Sequence, residues 1–186
     1  MKNERLTFMA IKILPAIFRK LRNHYYNFIF NTSNLKIGKN LSLCGTKNIH
    51  LGSNVYLGNQ TWIDAIENGI ITIGNNVSLS QNVHIAALLN VKIGDGCLIG
   101  SDVLITDHDH NHGIKYENIV PKLRGLKVKG STEIGENVWI SDNVKILSGV
   151  TLGNNIVVAA NSVVINDFPS NVIIGGIPAK ILKTYK

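Results

Sequence analysis

The sequence has little of what marks secreted, membrane-spanning or disordered proteins. It holds only 2 cysteines in 186 residues, too few for a disulfide framework. No apolar run reaches the roughly 18 residues that a membrane-spanning helix needs, and no small-residue cleavage site follows the apolar stretch within residues 1–30. Charged residues make up 17 % and hydrophobic residues 45 %, which excludes intrinsic disorder. We therefore expect a single globular domain in a reducing cytoplasm.

Positive charge is concentrated near the N terminus. Residues 1–36 hold seven Lys or Arg against the single acid Glu4, which gives +6 of the net charge of +7. A nucleic-acid-binding protein usually spreads its cations along one face and interleaves aromatic residues, so this distribution argues against nucleic acid as a partner.

Residues 1–34 predict an amphipathic helical cap, with a kink or break at Pro15. Two interpretations of its basic residues stay open. The cap packs on the fold with its charges in water, or it holds the protein peripherally at the inner face of the membrane by binding anionic lipid. The cations in question are Lys12, Arg19, Lys20 and Arg22.

An aliphatic residue recurs every six residues through most of the chain. From Ile134 the rows are IGENVW, ISDNVK, ILSGVT, LGNNIV, VAANSV and VINDFP, and the same register starts at Ile37, Leu51, Ile73 and Ile93. Ordinary strands alternate with period two and helices with period 3.6, so neither explains a strict period of six. A β-sandwich has turns every 8–12 residues without a fixed period.

The six-residue row predicts a short strand followed by a tight turn. The chain contains 23 Asn and 17 Gly, the residue types that enter left-handed backbone conformations most cheaply. Three rows make one coil, and stacking coils buries the aliphatic column that a single coil exposes. We predict an all-β solenoid over residues 35–168 and a C-terminal cap over residues 169–186, with a short helix after Pro178.

The six-residue register is lost between Ile105 and Ile134, which predicts a protruding loop over residues 107–130 that opens with TDHDHNHG. In an extended conformation His108, His110 and His112 would point to one side. Three interpretations remain: a general base, a zinc or nickel site, or a solvated polar loop. Against metal, alternate residues of a strand lie about 7 Å apart, too far for three ligands to converge.

The ITDHDHNHG loop, the VWI row and the closing GGIPAK resemble the hexapeptide-repeat acyltransferases. The likeness covers residues 35–186 and is strongest to the O-acetyltransferases of O-antigen and capsular polysaccharide, and weaker to the galactoside and maltose acetyltransferases. It implies a left-handed parallel β-helix, a homotrimer, and transfer of an acetyl group from acetyl-CoA to a sugar hydroxyl in cell-surface polysaccharide synthesis. No metal is expected.

The resemblance also implies site residues. An ungapped match places the catalytic base on His110, with His108 second. The match implies substrate contacts at Asn82 and His84, although Leu88 stands where the family has an acceptor-binding Asp. Positions that match the family's cofactor-binding residues are Trp139, Ala160, Lys180 and Lys183.

Three rival functions stay open. A sugar N-acetyltransferase places similar demands on one histidine base. A metal-dependent β-helix enzyme of the carbonic anhydrase type would use the histidines as ligands. A non-catalytic β-helix scaffold would bind no acetyl-CoA and would leave the histidine-rich loop without a role.

Overall fold

The computed structural model describes residues 6–185, with side chains from residue 15 onwards, so the expectations for residues 1–5 and for the Lys12 side chain lie outside the described part. One helix, α1, spans Leu6–Ile29 and runs through Pro15 without a break. The strands before the insertion are β1 (Lys36–Ile37), β2 (Ser42–Cys44), β3 (Ile49–Leu51), β4 (Tyr56–Leu57), β5 (Trp62–Ala65), β6 (Ile70–Ile73), β7 (Ser78–Leu79), β8 (His84–Ala87), β9 (Asn90–Ile93), β10 (Leu98–Ile99) and β11 (Leu104–Thr106). The later strands are β12 (His108–His110), β13 (Leu126–Val128), β14 (Thr132–Ile134), β15 (Trp139–Ile140), β16 (Lys145–Ile146), β17 (Thr151–Leu152), β18 (Val157–Val158), β19 (Val163–Val164), β20 (Val172–Gly176) and β21 (Ala179–Thr184).

The strands stack into three parallel sheets that form the faces of a solenoid. Face A contains β1, β4, β7, β10, β15, β18 and β20; face B contains β2, β5, β8, β11, β16 and β19; face C contains β3, β6, β9, β14 and β17. Because successive strands of the solenoid pass from face to face, three strands complete one coil. The predicted hexapeptide solenoid is therefore confirmed.

The first residue of each six-residue row points into the solenoid and stacks on its equivalent in the next coil. Each buried aliphatic side chain contributes about 1.5–3 kcal/mol, so these columns supply most of the stabilisation. On face A the column is no more than 2 % exposed and consists of Ile37, Leu57, Leu79, Ile99, Ile140, Val158 and Ile174.

The corners between faces are built mainly from asparagines in the left-handed conformation. In one corner the Asn34 side chain donates to Asn54 at 2.7 Å, and Asn54 donates to Asn76 at 3.1 Å. All three have φ between 56° and 59°, a conformation that costs most L-residues roughly 1–2 kcal/mol. The abundance of Asn in the sequence therefore reflects the corner geometry.

Helix α1 closes the N-terminal end of the solenoid through side-chain amides. Asn27 Oδ1 accepts the Leu35 N–H at 2.9 Å, and Asn27 Nδ2 donates to the Leu35 carbonyl at 3.0 Å. Asn23 Oδ1 accepts the Ile37 N–H at 3.3 Å, and Arg22 donates to the Ile37 carbonyl. These contacts satisfy the open edge of β1, which would otherwise pair with another chain.

The C-terminal end is closed by a hairpin, and the expected helix after Pro178 is wrong. Strand β20 pairs in parallel with β18, so face A extends to Gly176, beyond the expected boundary at residue 168. Strand β21 then folds back antiparallel along β20. An edge strand needs partners for its backbone groups, and the last residues supply them as a strand.

The insertion is an antiparallel hairpin of β12 and β13, in which His108 lies opposite Val128 and His110 opposite Leu126. Short 3-10 turns at Ile114–Tyr116 and Pro121–Leu123 form its distal part. Strand β14 then pairs with β9 of the coil before, so the solenoid continues in register past the insertion. Over residues 6–185, no helix is both long and apolar enough to cross a membrane.

Candidate active site

Face B carries an aromatic pair on its outer surface. Trp62 on β5 and His84 on β8 are register partners, and their rings stack with centroids 4.0 Å apart and planes inclined by 6°. The β11 partner of His84 is Leu104, and Asp64 lies two residues beyond Trp62. The two rings cover each other's facing surfaces, so the pair forms a fixed aromatic wall on the outer side of face B with Asp64 nearby.

His84 is half-buried, and its Nε2 is a buried atom with no hydrogen-bond partner among the described residues. Burial lowers the pKa of His84 below its ordinary value; the charge of Asp64 opposes this shift and that of His108 adds to it. His84 therefore favours the neutral imidazole. In this form one ring nitrogen can donate a hydrogen bond and the other can accept one.

Asp107 follows β11 at the point where the hairpin leaves the solenoid, and it is fully buried. Its Oδ1 accepts the Leu88 N–H at 2.8 Å, and its Oδ2 accepts the N–H groups of Leu89 and Asn90, each at 2.7 Å. These donors lie at the corner between β8 and β9 of the preceding coil. Asp107 is therefore held by three backbone hydrogen bonds, which compensate for its burial.

His108 is the histidine that Asp107 orients. Its Nδ1 lies 3.0 Å from Asp107 Oδ1 and 3.1 Å from the Thr106 hydroxyl, and its side chain is 13 % exposed. A carboxylate at Nδ1 favours the tautomer with hydrogen on that nitrogen, which leaves Nε2 with a lone pair. This is the arrangement that a general base requires.

The other two histidines of the insertion are placed differently. His110 lies two residues further along β12, so it is on the same side of the strand as His108, but it is exposed. His112 lies beyond the strand and is also exposed. Within the part of the chain whose side chains are described, no hydrogen bond orients either ring, and no three His, Cys, Asp or Glu side chains lie close enough to hold a metal ion.

Sequence reasoning did not single out the residues that support His108. Besides Asp107, these are Thr132, which donates to the Thr106 carbonyl at 2.9 Å, and Ser148, which donates to the Asp107 carbonyl. The row pattern gave no signal for Asp107, because the third residue of a row is exposed in most rows, as at Asp142 and Asn154, and is buried mainly on face B.

The residues matched to cofactor binding lie together on or beside face A. Trp139 on β15 is 51 % exposed, and exposed Lys180 and Lys183 lie on β21 at the edge of the same sheet. Ala160 is exposed at the corner between β18 and β19, where face A turns into face B. Within one chain these residues and His108 therefore occupy different faces.

Asn82 lies at the same kind of corner, between β7 and β8, with φ 55°. Its Nδ2 donates to Asp102 Oδ1 at 2.6 Å. The corner structure thus accounts for this residue, whereas His84, the other expected substrate contact, lies beside Trp62 and near His108.

Comparisons with known proteins agree with this geometry. The family described as bacterial transferase hexapeptide (six repeats) matches residues 131–166. WbbJ of Escherichia coli K12, named as a lipopolysaccharide biosynthesis O-acetyl transferase, is 41 % identical over 142 residues, which cover 74 % of this chain and 72 % of WbbJ. The chain belongs to the hexapeptide-repeat acyltransferases. Its solenoid is the left-handed β-helix of that family.

Two further matches support the assignment of this chain to the hexapeptide-repeat acyltransferases. The galactoside O-acetyltransferase of Escherichia coli K12 is 30 % identical over 168 residues, covering 89 % of this chain and 78 % of that protein. A solved structure of a hexapeptide-repeat-containing acetyltransferase from Vibrio cholerae O1 biovar eltor, complexed with acetyl coenzyme A, matches with a TM-score of 0.57 and 27 % identity. That match covers 80 % of this chain and 70 % of the other.

Proposed function

We propose that the protein transfers the acetyl group of acetyl-CoA to a sugar hydroxyl during synthesis of a surface polysaccharide, with His108 as the general base. The observation that carries the proposal is the buried Asp107 carboxylate, which three backbone N–H groups hold in place 3.0 Å from His108 Nδ1. The likeness to WbbJ supports lipopolysaccharide as the class of acceptor.

In the proposed reaction, His108 Nε2 takes the proton of the acceptor hydroxyl while the hydroxyl oxygen attacks the thioester carbonyl. The resulting tetrahedral intermediate collapses with cleavage of the carbon–sulfur bond. His108 then returns the proton to the leaving thiolate, so the products are the acetyl ester and CoA, and no acyl-enzyme forms. Asp107 acts as a positioning residue throughout.

The order of the two histidines is a choice between sequence and geometry. The ungapped sequence match favours His110. The His110 ring is exposed, however, and the residue lies three positions after Asp107 in the sequence. A shift of the match by two residues keeps the same facing and places the base on His108. We propose His108 because its tautomer is set by Asp107.

We propose that the complete site forms between the subunits of a homotrimer. Trp139, Ala160, Lys180 and Lys183 would line the path of acetyl-CoA, the two lysines lying near its phosphates. A single chain places these residues and His108 on different faces, so a neighbouring subunit is needed to bring the thioester to the base. We also propose a cytoplasmic location with peripheral membrane contact through residues 1–30.

The rivals differ in what they require of the same residues. N-acetylation of an amino sugar would use His108 in the same way, so only the identity of the acceptor distinguishes O-acetylation from N-acetylation. An enzyme of the carbonic anhydrase type needs three converging ligands; the described side chains of one chain bring no such group together, so this rival requires ligands from a neighbouring subunit. A scaffold leaves the Asp107–His108 pair without a function.

The test is CoA release from acetyl-CoA with a panel of sugars and crude polysaccharide as acceptors, comparing wild type, His108→Ala and His110→Ala. We expect release only with an acceptor, a loss of roughly 10²-fold or more in His108→Ala, and a change below about threefold in His110→Ala. The reverse order would make His110 the base. If wild type neither binds nor consumes acetyl-CoA, the proposed function is wrong.

A further inference from the structure

Helix α1 exposes six large apolar side chains, with exposed Lys20 and His24 among them. Residues four and seven positions apart lie on one side of a helix, and this spacing connects Ile17, Leu21 and Phe28. Phe28 is 83 % exposed, which is unusual for an aromatic side chain on a soluble protein. The members of this outer stripe are Ile17, Phe18, Leu21, Tyr25, Phe28 and Ile29.

The inner side of the same helix combines polar and aromatic contacts, because Tyr26 and Phe30, which directly follows the helix, pack against the core. Asn23 and Asn27 contact β1 through their amides, and Arg22 donates to a backbone carbonyl of that strand. A helix that only capped the solenoid would need large apolar side chains on its inner side alone. The six exposed apolar residues of the outer stripe therefore indicate a second apolar partner besides the solenoid.

A basic groove lies between α1 and the first strands of face A. Its volume is about 640 Å³, and Phe18 and Tyr56 form apolar parts of its wall. Its cations are Arg19, Arg22, Lys36 and Lys39, and its lining includes no carboxylate. One of these cations, Arg22, has a buried Nε without a hydrogen-bond partner in the described structure. Phosphate oxygens are suitable partners for such a guanidinium.

The groove is separate from the candidate active site. Lys36 and Tyr56 lie on the outer side of face A, in β1 and β4, whereas Trp62, His84 and His108 belong to face B and the hairpin. The cofactor positions on face A are at its other end, from β15 to β21. Within one chain the basic groove is therefore separate from the residues proposed for acetyl transfer.

Charge decides which partner fits this surface. A second copy of the chain that covered the stripe with its own α1 would bring two sets of Arg19, Lys20 and Arg22 together, and like charges would oppose that contact. An anionic lipid surface offers acyl chains for the stripe and, further out at the headgroup level, phosphates for the cations of the groove.

We infer that α1 lies in the plane of an anionic membrane with its outer stripe in the acyl-chain boundary, and that the basic groove binds the phosphate of a phospholipid headgroup. This inference rests on the proposed membrane contact of residues 1–30 and is independent of the transferase chemistry. It assigns the groove a ligand class, an anionic phospholipid, and it orients the solenoid with its N-terminal coil towards the membrane.

The test is co-sedimentation of the full-length protein with vesicles of phosphatidylcholine alone and of phosphatidylcholine mixed with phosphatidylglycerol. We expect binding to the mixed vesicles only. Leu21→Glu/Phe28→Glu removes two stripe residues and should weaken binding by roughly tenfold or more. Lys36→Glu/Lys39→Glu should weaken it by at least about fivefold per cation, or roughly 25-fold.

The matched control is Lys92→Glu/Lys122→Glu, which makes the same charge change on exposed residues outside both the groove and the N-terminal coil. It should bind within about twofold of wild type, because charges beyond a Debye length of about 10 Å are screened. An equal loss in the control would show that net charge alone drives binding, and full binding by the stripe variant would exclude insertion. Either of these two results would overturn the inference. It would also be overturned if the protein bound free glycerol phosphate as tightly as it bound the mixed vesicles.

Acetyl-CoA affinity, measured by calorimetry on the same preparations, separates this inference from the proposed function. The stripe and groove variants should retain wild-type affinity, which also shows that they are folded. Wild-type protein that binds acetyl-CoA but no vesicle would contradict the membrane inference alone. Vesicle binding without acetyl-CoA binding would support the inference and contradict the transferase.

Discussion

Asp107→Asn is the substitution that tests the candidate site most directly, because it changes charge and donor pattern without changing shape. The carboxylate accepts three backbone N–H groups at 2.7 to 2.8 Å and faces His108 Nδ1 at 3.0 Å. An amide has one acceptor oxygen and one donor nitrogen, so it cannot replace both carboxylate oxygens. We expect the amide oxygen to take the place of Oδ2, which keeps the hydrogen bonds from Leu89 and Asn90.

In that orientation the amide N–H₂ faces the Leu88 N–H and His108 Nδ1. The Leu88 N–H loses its acceptor, which costs about 1–3 kcal/mol of unfolding free energy. The imidazole then accepts at Nδ1 and carries its hydrogen on Nε2, where a base needs a lone pair. We expect kcat to fall by about 10²–10⁴-fold, as for the aspartate of a catalytic triad, with the KM for acetyl-CoA changed by less than about twofold.

The measurement is CoA release at saturating acetyl-CoA, combined with chemical denaturation of the same protein. Asp109→Asn is the matched control, since Asp109 lies in β12 opposite Lys127 and does not contact either His108 ring nitrogen. It should retain activity within about threefold of wild type. A folded Asp107→Asn variant with the same activity as Asp109→Asn would refute the positioning role of Asp107.

Three further predictions concern the N-terminal cap, the aromatic pair and the cysteines. Asn27→Ala should lower the unfolding free energy by about 2–4 kcal/mol, because a backbone N–H and C=O of the first coil lose their partner. The control is His24→Ala, an exposed change on the same helix, which should lower the unfolding free energy by less than about 0.5 kcal/mol in chemical denaturation. Equal losses in the two variants would contradict the capping role of Asn27. Burial lowers the pKa of His84 below its ordinary value of 6.5, so the unfolding free energy should be highest above that pH and decrease as pH falls below it. Urea titrations at several pH values should show that the unfolding free energy of His84→Phe depends less on pH than that of wild type. The same pH dependence in both proteins would exclude His84 as its source. Burial raises the pKa of the Cys97 thiol to about 11, so a thiol reagent should modify only exposed Cys44 in the folded protein and both after unfolding. Equal rates in the folded protein would be inconsistent with the described core.

The solenoid was predictable because its signal is repeated. Ile134, Ile140 and Ile146 open successive rows, and each is buried on a different face of one coil. The C-terminal end offered no such repeat. Pro178 is compatible with the first turn of a helix, and only the open edge of β20, a tertiary feature, shows why the following residues form a strand.

The candidate site was predictable in part. The loss of period after Ile105 located the insertion, and residue type singled out its histidines. The choice between His108 and His110 depends on Asp107, whose partners are backbone N–H groups of residues 88–90 in another coil. A backbone donor can come from any residue type except proline, so the sequence at those positions carries no signal for it.

The anchoring of Asp107 to the coil before it has a consequence for how this enzyme could be altered. The proposed base takes its position from the rigid solenoid, whereas the hairpin beyond it joins the fold through β12 and β13 alone. Exchange of the hairpin's distal part for one of different length should therefore change which acceptors fit while the proton-transfer geometry is kept. The hairpin is therefore the segment to exchange when acceptor choice is to be tested with the Asp107–His108 pair and the aromatic pair of face B left unchanged.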